Sequence, residues 1–172
     1  MSNTKVYMEQ GGNKQVVAAG GEINIETGGA LKINGTDVSS ELAEAAGKAT
    51  NVTFSYAAAA ANVSEVTITV KNAAGTTIES PHSLDVYLSD AATGAGLTAT
   101  TASGTVTAKA ASGTVLGTLT AKKALRVQTL ATGVFILEIT DTAKTGFYPV
   151  VSLPNTGETI VGSQMVTGDY GA

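Results

Sequence analysis

From Thr50 onward the sequence alternates between short runs that switch apolar and polar residue by residue and brief clusters of turn formers. No other feature constrains the fold as strongly, because a period of two places alternate side chains on opposite faces of a strand. Val66-Thr67-Ile68-Thr69-Val70 and Leu84-Asp85-Val86-Tyr87-Leu88 show the pattern most cleanly. Strands are expected at Val52–Ala58, Ser64–Lys71, Leu84–Ser89, Gly104–Ala110, Val115–Ala121, Leu125–Leu130, Val134–Thr140, Phe147–Leu153 and Thr159–Thr167. Asn72-Ala-Ala-Gly75, Asp90-Ala-Ala-Thr-Gly94, Ala131-Thr-Gly133 and Pro154-Asn-Thr-Gly157 supply turns between them. About seven to nine short strands at such spacing predict an antiparallel sandwich, with an immunoglobulin-like arrangement the leading version over residues 48–172. The Cys and Trp of antibody domains are missing. Asp141, Gly146 and Tyr148 mark where a tyrosine corner would form.

Residues 1–47 read differently. Gly20-Gly21-Glu22-Ile23-Asn24-Ile25 is echoed by Gly28-Gly29-Ala30-Leu31-Lys32-Ile33 at a period of eight residues. Ile23 matches Leu31, Ile25 matches Ile33, and apolar residues alternate with polar ones inside each unit. A looser copy runs from Gly11-Gly12 to Val17, and Asn34-Gly35 is a strong hairpin turn. From Ser39 or Ser40 to Ala46 a short helix is expected. Ser40 can cap it, Glu41 and Glu44 suit its positive end, and Gly47 suits its stop. Val38, Leu42 and Ala45 form its narrow apolar stripe.

Neither element can stand alone. A lone hairpin is marginal in water, and a helix of about two turns is unstable by itself. Packing against copies from other chains, as in a small trimeric β-prism or β-helix, would bury these apolar faces. An extension of the following sheet is the alternative. Ile23, Ile25, Leu31 and Ile33 are the candidate subunit-interface residues, with Val38 and Leu42 seating the connecting helix.

Composition narrows the function. Hydrophobic residues make up 43% of the chain but aromatics only 5%, with no Trp. A core built on small side chains gains little area per residue, which favours oligomerisation. There are 14 acidic and 10 basic residues, Arg126 is the only arginine, and Lys122-Lys123 is the longest basic run. Phosphate recognition wants clustered cations, so no nucleic-acid partner is expected. The longest apolar run, Ala57–Ala61, falls far short of the roughly 20 residues a membrane helix needs, so no membrane partner is expected either. Met1–Lys5 lacks an apolar core, so a secretory signal is not expected. With no cysteine, disulfides and thiolate chemistry are excluded.

Catalytic signals are thin, and no enzyme activity, cofactor or metal is expected. His82, the only histidine, follows Pro81 in a loop with no nucleophile-elbow motif to support it. Asp85, Asp90 and Asp141 are loop or strand-end carboxylates of the kind that can hold calcium, but no D-x-D-x-D-G run is present. The glycine pairs lack the Lys-Ser/Thr of a phosphate loop. The sequons at Asn34, Asn51 and Asn62 are read as chance matches in a Thr-rich chain.

The stretch Lys5-Val-Tyr-Met-Glu-Gln-Gly-Gly-Asn-Lys, continuing through Gly-Gly-Glu-Ile-Asn-Ile-Glu-Thr-Gly-Gly-Ala-Leu-Lys-Ile-Asn-Gly-Thr-Asp-Val, resembles capsid decoration and head-fibre proteins of tailed bacteriophages. The resemblance is most specific over about residues 5–47. The remainder is similar to the immunoglobulin-like domains that phage virions display. It implies a virion structural protein made in the host bacterial cytoplasm and added to the outer capsid surface as a homotrimer. Its partners would be the major capsid protein and its own copies. The N-terminal segment would attach or trimerise, and the sandwich would project. The rival reading is a receptor- or carbohydrate-binding adhesin-type module that takes a host-surface glycan.

Overall fold

The computed structural model describes residues 6–8, 15–17, 21–23, 29, 32–38 and 47–172. The chain divides into two compact units, Met1–Ala43 and Glu44–Ala172.

In the first unit, β1 (Val6–Met8) pairs antiparallel with β2 (Gln15–Val17), and β3 (Lys32–Ile33) pairs with β4 (Thr36–Asp37). Asn34 and Gly35 join the second pair with φ of 50° and 82°. Two successive left-handed residues make the turn whose twist matches the flanking strands, as this dipeptide predicts. The first glycine-pair repeat differs from expectation, because its described residues 21–23 are not in a strand. The helix expected over 39–46 lies outside the described residues, as do Ile25, Leu31 and Leu42.

The second unit is an antiparallel two-sheet sandwich. One sheet has the order β5 (Asn51–Ala59), β6 (Val63–Lys71), β11 (Val134–Thr140), β8 (Val106–Ala108). The other has the order β13 (Thr159–Val161), β12 (Tyr148–Ser152), β7 (Ser83–Ser89), β10 (Ala124–Gln128), β9 (Thr114–Thr120). In immunoglobulin terms the first sheet is A-B-E-D, while β13, β12 and β7 are G, F and C. The extra pair β10 and β9 extends the C edge, where variable-type domains carry additional strands. The order of visits differs, because the chain leaves β7, crosses to β8, and only then returns to lay down β9 and β10.

Alternation puts Val66, Ile68 and Val70 of β6 and Phe135, Leu137 and Ile139 of β11 on one inner face. Leu84, Val86 and Leu88 of β7, Leu125 and Val127 of β10, and Val151 of β12 meet them from the other. All are buried, each worth about 1.5–3 kcal/mol relative to an exposed position. The connection after β7 folds back on the outer face of its own sheet. There the Tyr87 hydroxyl donates to Gly94 O at 2.8 Å, and a Cβ at Gly94 would lie 2.7 Å from Val161 Cγ2 and 3.2 Å from Val150 Cγ1. Val150 is accordingly fully buried although it points away from the core cluster.

Among the described residues two buried side-chain oxygens lack a partner, Thr50 Oγ1 and Ser64 Oγ. Ser64 is fully buried on β6, and its Oγ makes no hydrogen bond. An unsatisfied buried hydroxyl costs about 1–3 kcal/mol. Ser64→Ala is therefore expected to raise stability by about 1 kcal/mol, seen as a higher denaturant midpoint at unchanged slope. A lower midpoint would show that Ser64 is satisfied.

Candidate interaction surfaces

The sequence-predicted interface residues separate into three groups. Ile23 and Ile33 are 58% and 59% exposed, Val38 is buried, and Ile25, Leu31 and Leu42 fall outside the described residues. Ile33 is the last residue of β3, directly before the Asn34-Gly35 turn, and is opposite Thr36. Val17, at the end of β2, is exposed as well. The described part of this unit thus presents Val17 and Ile33 to solvent from strands three and two residues long, and Ile23 from outside a strand. Such strands offer no second layer against which to bury them.

His82 contacts a serine. Ser80 Oγ lies 3.1 Å from His82 Nε2. The loop is fixed by the His82 N–H donating to Thr129 Oγ1 at 2.9 Å and the Thr129 N–H donating to His82 O at 3.0 Å. The pair spans one intervening proline, and among the described residues no carboxylate hydrogen-bonds to the ring. Separated by Pro81 alone, the two side chains make a contact within one turn. Among the described residues there is no pocket and no group of three or more His, Asp or Glu side chains able to hold a metal. No described helix is long and apolar enough to cross a membrane.

The three carboxylates that could have been cation ligands are each engaged by the protein itself. Asp85 takes a bidentate pair from Arg126 Nε and Nη2, both at 2.7 Å, across the β7–β10 register. Asp90 accepts from Thr98 Oγ1 at 2.5 Å and from the Ala99 N–H at 2.8 Å, closing the loop after β7. Asp141, 1% exposed, accepts from the Ser103 N–H at 3.1 Å and the Thr145 N–H at 2.8 Å. The tyrosine corner expected at Tyr148 does not form there. Tyr148 OH reaches the Gln164 side chain, whereas Tyr170 OH donates to Thr145 O at 2.8 Å. Several lysines bind other parts of the same unit. Lys109 pairs with Glu65, Lys122 donates to Ser103 O, and Lys123 donates to Thr98 O and Ala99 O.

These contacts set a pH dependence. Burial alone would raise the Asp141 carboxyl, but hydrogen bonds from Thr145 and Ser103 outweigh it and hold the group below its ordinary value. Asp90 is lowered by its bonds to Thr98 and Ala99. Burial lowers His82. A depressed value means that the unfolded chain binds the proton more readily, so all three contributions are present at neutral pH and lost on acidification. The His82 part fades below about pH 6.5 and the carboxylate part below about pH 3.9. Urea titrations across this range are expected to show two declines, with the upper one absent in His82→Gln. An upper decline of equal size in that variant would remove His82 as its source.

One surface was not legible beforehand. β9 is the edge strand of the five-stranded sheet, and Leu116 and Leu119 on it are 50% and 53% exposed. Its register with β10 skips a residue twice. Ala124 is opposite Thr120 while Leu125 is opposite Thr118, and Arg126 is opposite Gly117 while Val127 is opposite Val115. Leu119 and Leu116 are the extra residues of the two bulges, which is why alternation fails to turn either one inward.

Comparison with protein-family models, with curated proteins and with solved structures found no match. The functional reading therefore rests on the chain itself.

Proposed function

We propose that this chain is a bacteriophage virion structural protein that binds the outer capsid surface as a homotrimeric decoration or head-fibre protein. The observation that carries the proposal is the contrast between the two units. Glu44–Ala172 holds a closed core of its own, whereas Met1–Ala43 exposes Ile33 at 59% at the end of a two-residue strand and Ile23 at 58% outside any strand. An assembly unit coupled to a self-sufficient display unit matches what the resemblance over residues 5–47 implies. Three modest capsid contacts joined in one trimer act together, because the second and third binding events become intramolecular.

The glycan-binding alternative finds less support. Sugar sites stack their ligand on exposed rings, and every aromatic of the second unit is partly or fully buried, with Tyr56, Tyr87, Tyr148 and Tyr170 also hydrogen-bonded.

Light scattering on the full chain tests the trimer. The expected mass is three times the 17.1 kDa subunit, and a monomer at micromolar concentration would sink the assignment. Co-sedimentation with tailed-phage capsids stripped of their decoration tests the partner. Saturable binding of the trimer is expected, and trimers that stay in the supernatant of every capsid tried would defeat the capsid reading.

A further inference from the structure

The sandwich has four sheet edges, and they are unequally protected. β8 and β13 are three residues long. β5 is flanked by the segment after β13, where the Tyr56 hydroxyl donates to Ser163 O at 2.9 Å and a Cβ on Gly162 would meet the Tyr56 and Phe54 rings. β9 has no such cover. It is seven residues long, and outside its ladder with β10 no backbone or side-chain hydrogen bond among the described residues reaches positions 115–119. Natural edges are blunted by lysine, proline, inward charges or bulges. The run Ala110–Ala121 has no lysine, proline or charge, and its two bulges leave Leu116 and Leu119 in solvent instead of covering the edge.

We propose that β9 is a contact between two copies of this chain, paired antiparallel about Gly117. Several features select a second copy over a foreign strand. A two-fold contact sets each residue against the same strand reversed, so any charge near the centre would face its own copy or a like neighbour. An uncharged strand carries no such penalty. The pattern of Thr114-Val-Leu-Gly-Thr-Leu-Thr120 also survives reversal about Gly117. Thr114, Gly117 and Thr120 are opposite Gln128, Arg126 and Ala124 on the outer face. Reversed, they fall on Thr120, Gly117 and Thr114 of the copy. Val115 and Thr118, opposite buried Val127 and Leu125, fall on the bulged Leu119 and Leu116. Each exposed leucine thereby gains a neighbour across the seam. The contact is independent of the proposed N-terminal trimer, and on a capsid it would join one trimer to the next.

The absence of cysteine allows a direct test. A Cβ on Gly117 meets nothing within 4 Å, and its φ lies outside the left-handed region, so Gly117→Cys leaves the fold undisturbed. Directly opposed residues in an antiparallel pair are about 4.5–5.5 Å apart at Cα, within disulfide range. In the full-length protein, mild oxidation of Gly117→Cys is expected to give disulfide dimers on the order of ten-fold faster than Ala73→Cys, an exposed turn position. Adding Leu119→Lys, at a side chain already in solvent, should return the rate to that of the control. Equal rates for the two single-cysteine proteins would overturn the self-contact and leave the edge to a different partner. A rate unchanged by Leu119→Lys would overturn the paired register. The β9 contact is weak enough in solution to need trapping by oxidation, and the mass of Leu119→Lys, in which it is blocked, reports the trimer alone, so the two proposals can fail independently.

Discussion

Gly133→Ala is expected to destabilise the sandwich by about 2–4 kcal/mol, whereas Gly75→Ala should cost only about 1 kcal/mol. Both glycines sit in turns with left-handed backbone, φ 72° at Gly133 and 77° at Gly75. Their surroundings differ. A Cβ on Gly75 would meet nothing, while one on Gly133 would come 2.1 Å from the backbone oxygen of Ile78. No side-chain rotation relieves a clash with a carbonyl, so either Ile78 or the β10–β11 turn must move. That turn is held by the Gly133 N–H donating to Leu130 O at 3.0 Å and the Leu130 N–H donating to Val134 O at 2.8 Å. The Val70 N–H also donates to Gly133 O at 2.9 Å, so a displaced turn would pull on β6. Urea unfolding of the two variants separates the conformational cost from the steric one. Equal midpoints would mean that the close approach to Ile78 carries no energy.

That distinction also marks how far the sequence could be read. Ala131-Thr-Gly133 and Asn72-Ala-Ala-Gly75 are equally visible as turns, but only the packed molecule tells which glycine touches a neighbour. The strands were legible because a period of two survives wherever one face is buried. Val134–Thr140 falls exactly as the pattern places it, and β6 and β7 fall within one residue. Legibility failed where local patterning stops deciding. The run from Thr159 to Thr167 keeps only three residues of strand, and Gly162–Gln164 instead lies against Tyr56 and Gly146 through hydrogen bonds no periodicity announces. The bulges of β9 belong to its register with β10, a pairing between strands that a single alternating run cannot encode. Likewise Asp141 and Tyr148 suggested a corner, yet Tyr148 reaches Gln164, and the Thr145 carbonyl is bound by Tyr170, twenty-five residues further along. Of the candidate interface residues among those described, Ile23 and Ile33 are exposed, and Val38, expected to seat the connecting helix, is buried.

The largest effect on assembly is expected from Ile33→Asp, which should turn the proposed trimer into monomers and abolish capsid binding, with Ile25→Asp acting in the same direction. Ile33 is more than half exposed in the single chain, so its substitution removes little from the fold of one subunit. In a trimer it is present three times. Burying each isoleucine contributes about 1.5–3 kcal/mol, and a carboxylate at the same three places would have to be desolvated without a partner. The combined loss exceeds 4 kcal/mol, about a thousand-fold in the association constant by the usual conversion. The turn itself is unaffected, because Asn34 and Gly35 keep their backbone geometry whatever precedes them. Light scattering on Ile33→Asp should therefore report the 17.1 kDa subunit mass, and urea unfolding of the sandwich should be unchanged. A three-subunit mass in both variants would take Ile33 and Ile25 out of the interface. Loss of capsid binding by a variant that remains trimeric would instead move these residues to the capsid contact. Persistence of both properties would turn the assembly role of Met1–Ala43 over to residues other than its repeated aliphatic pairs.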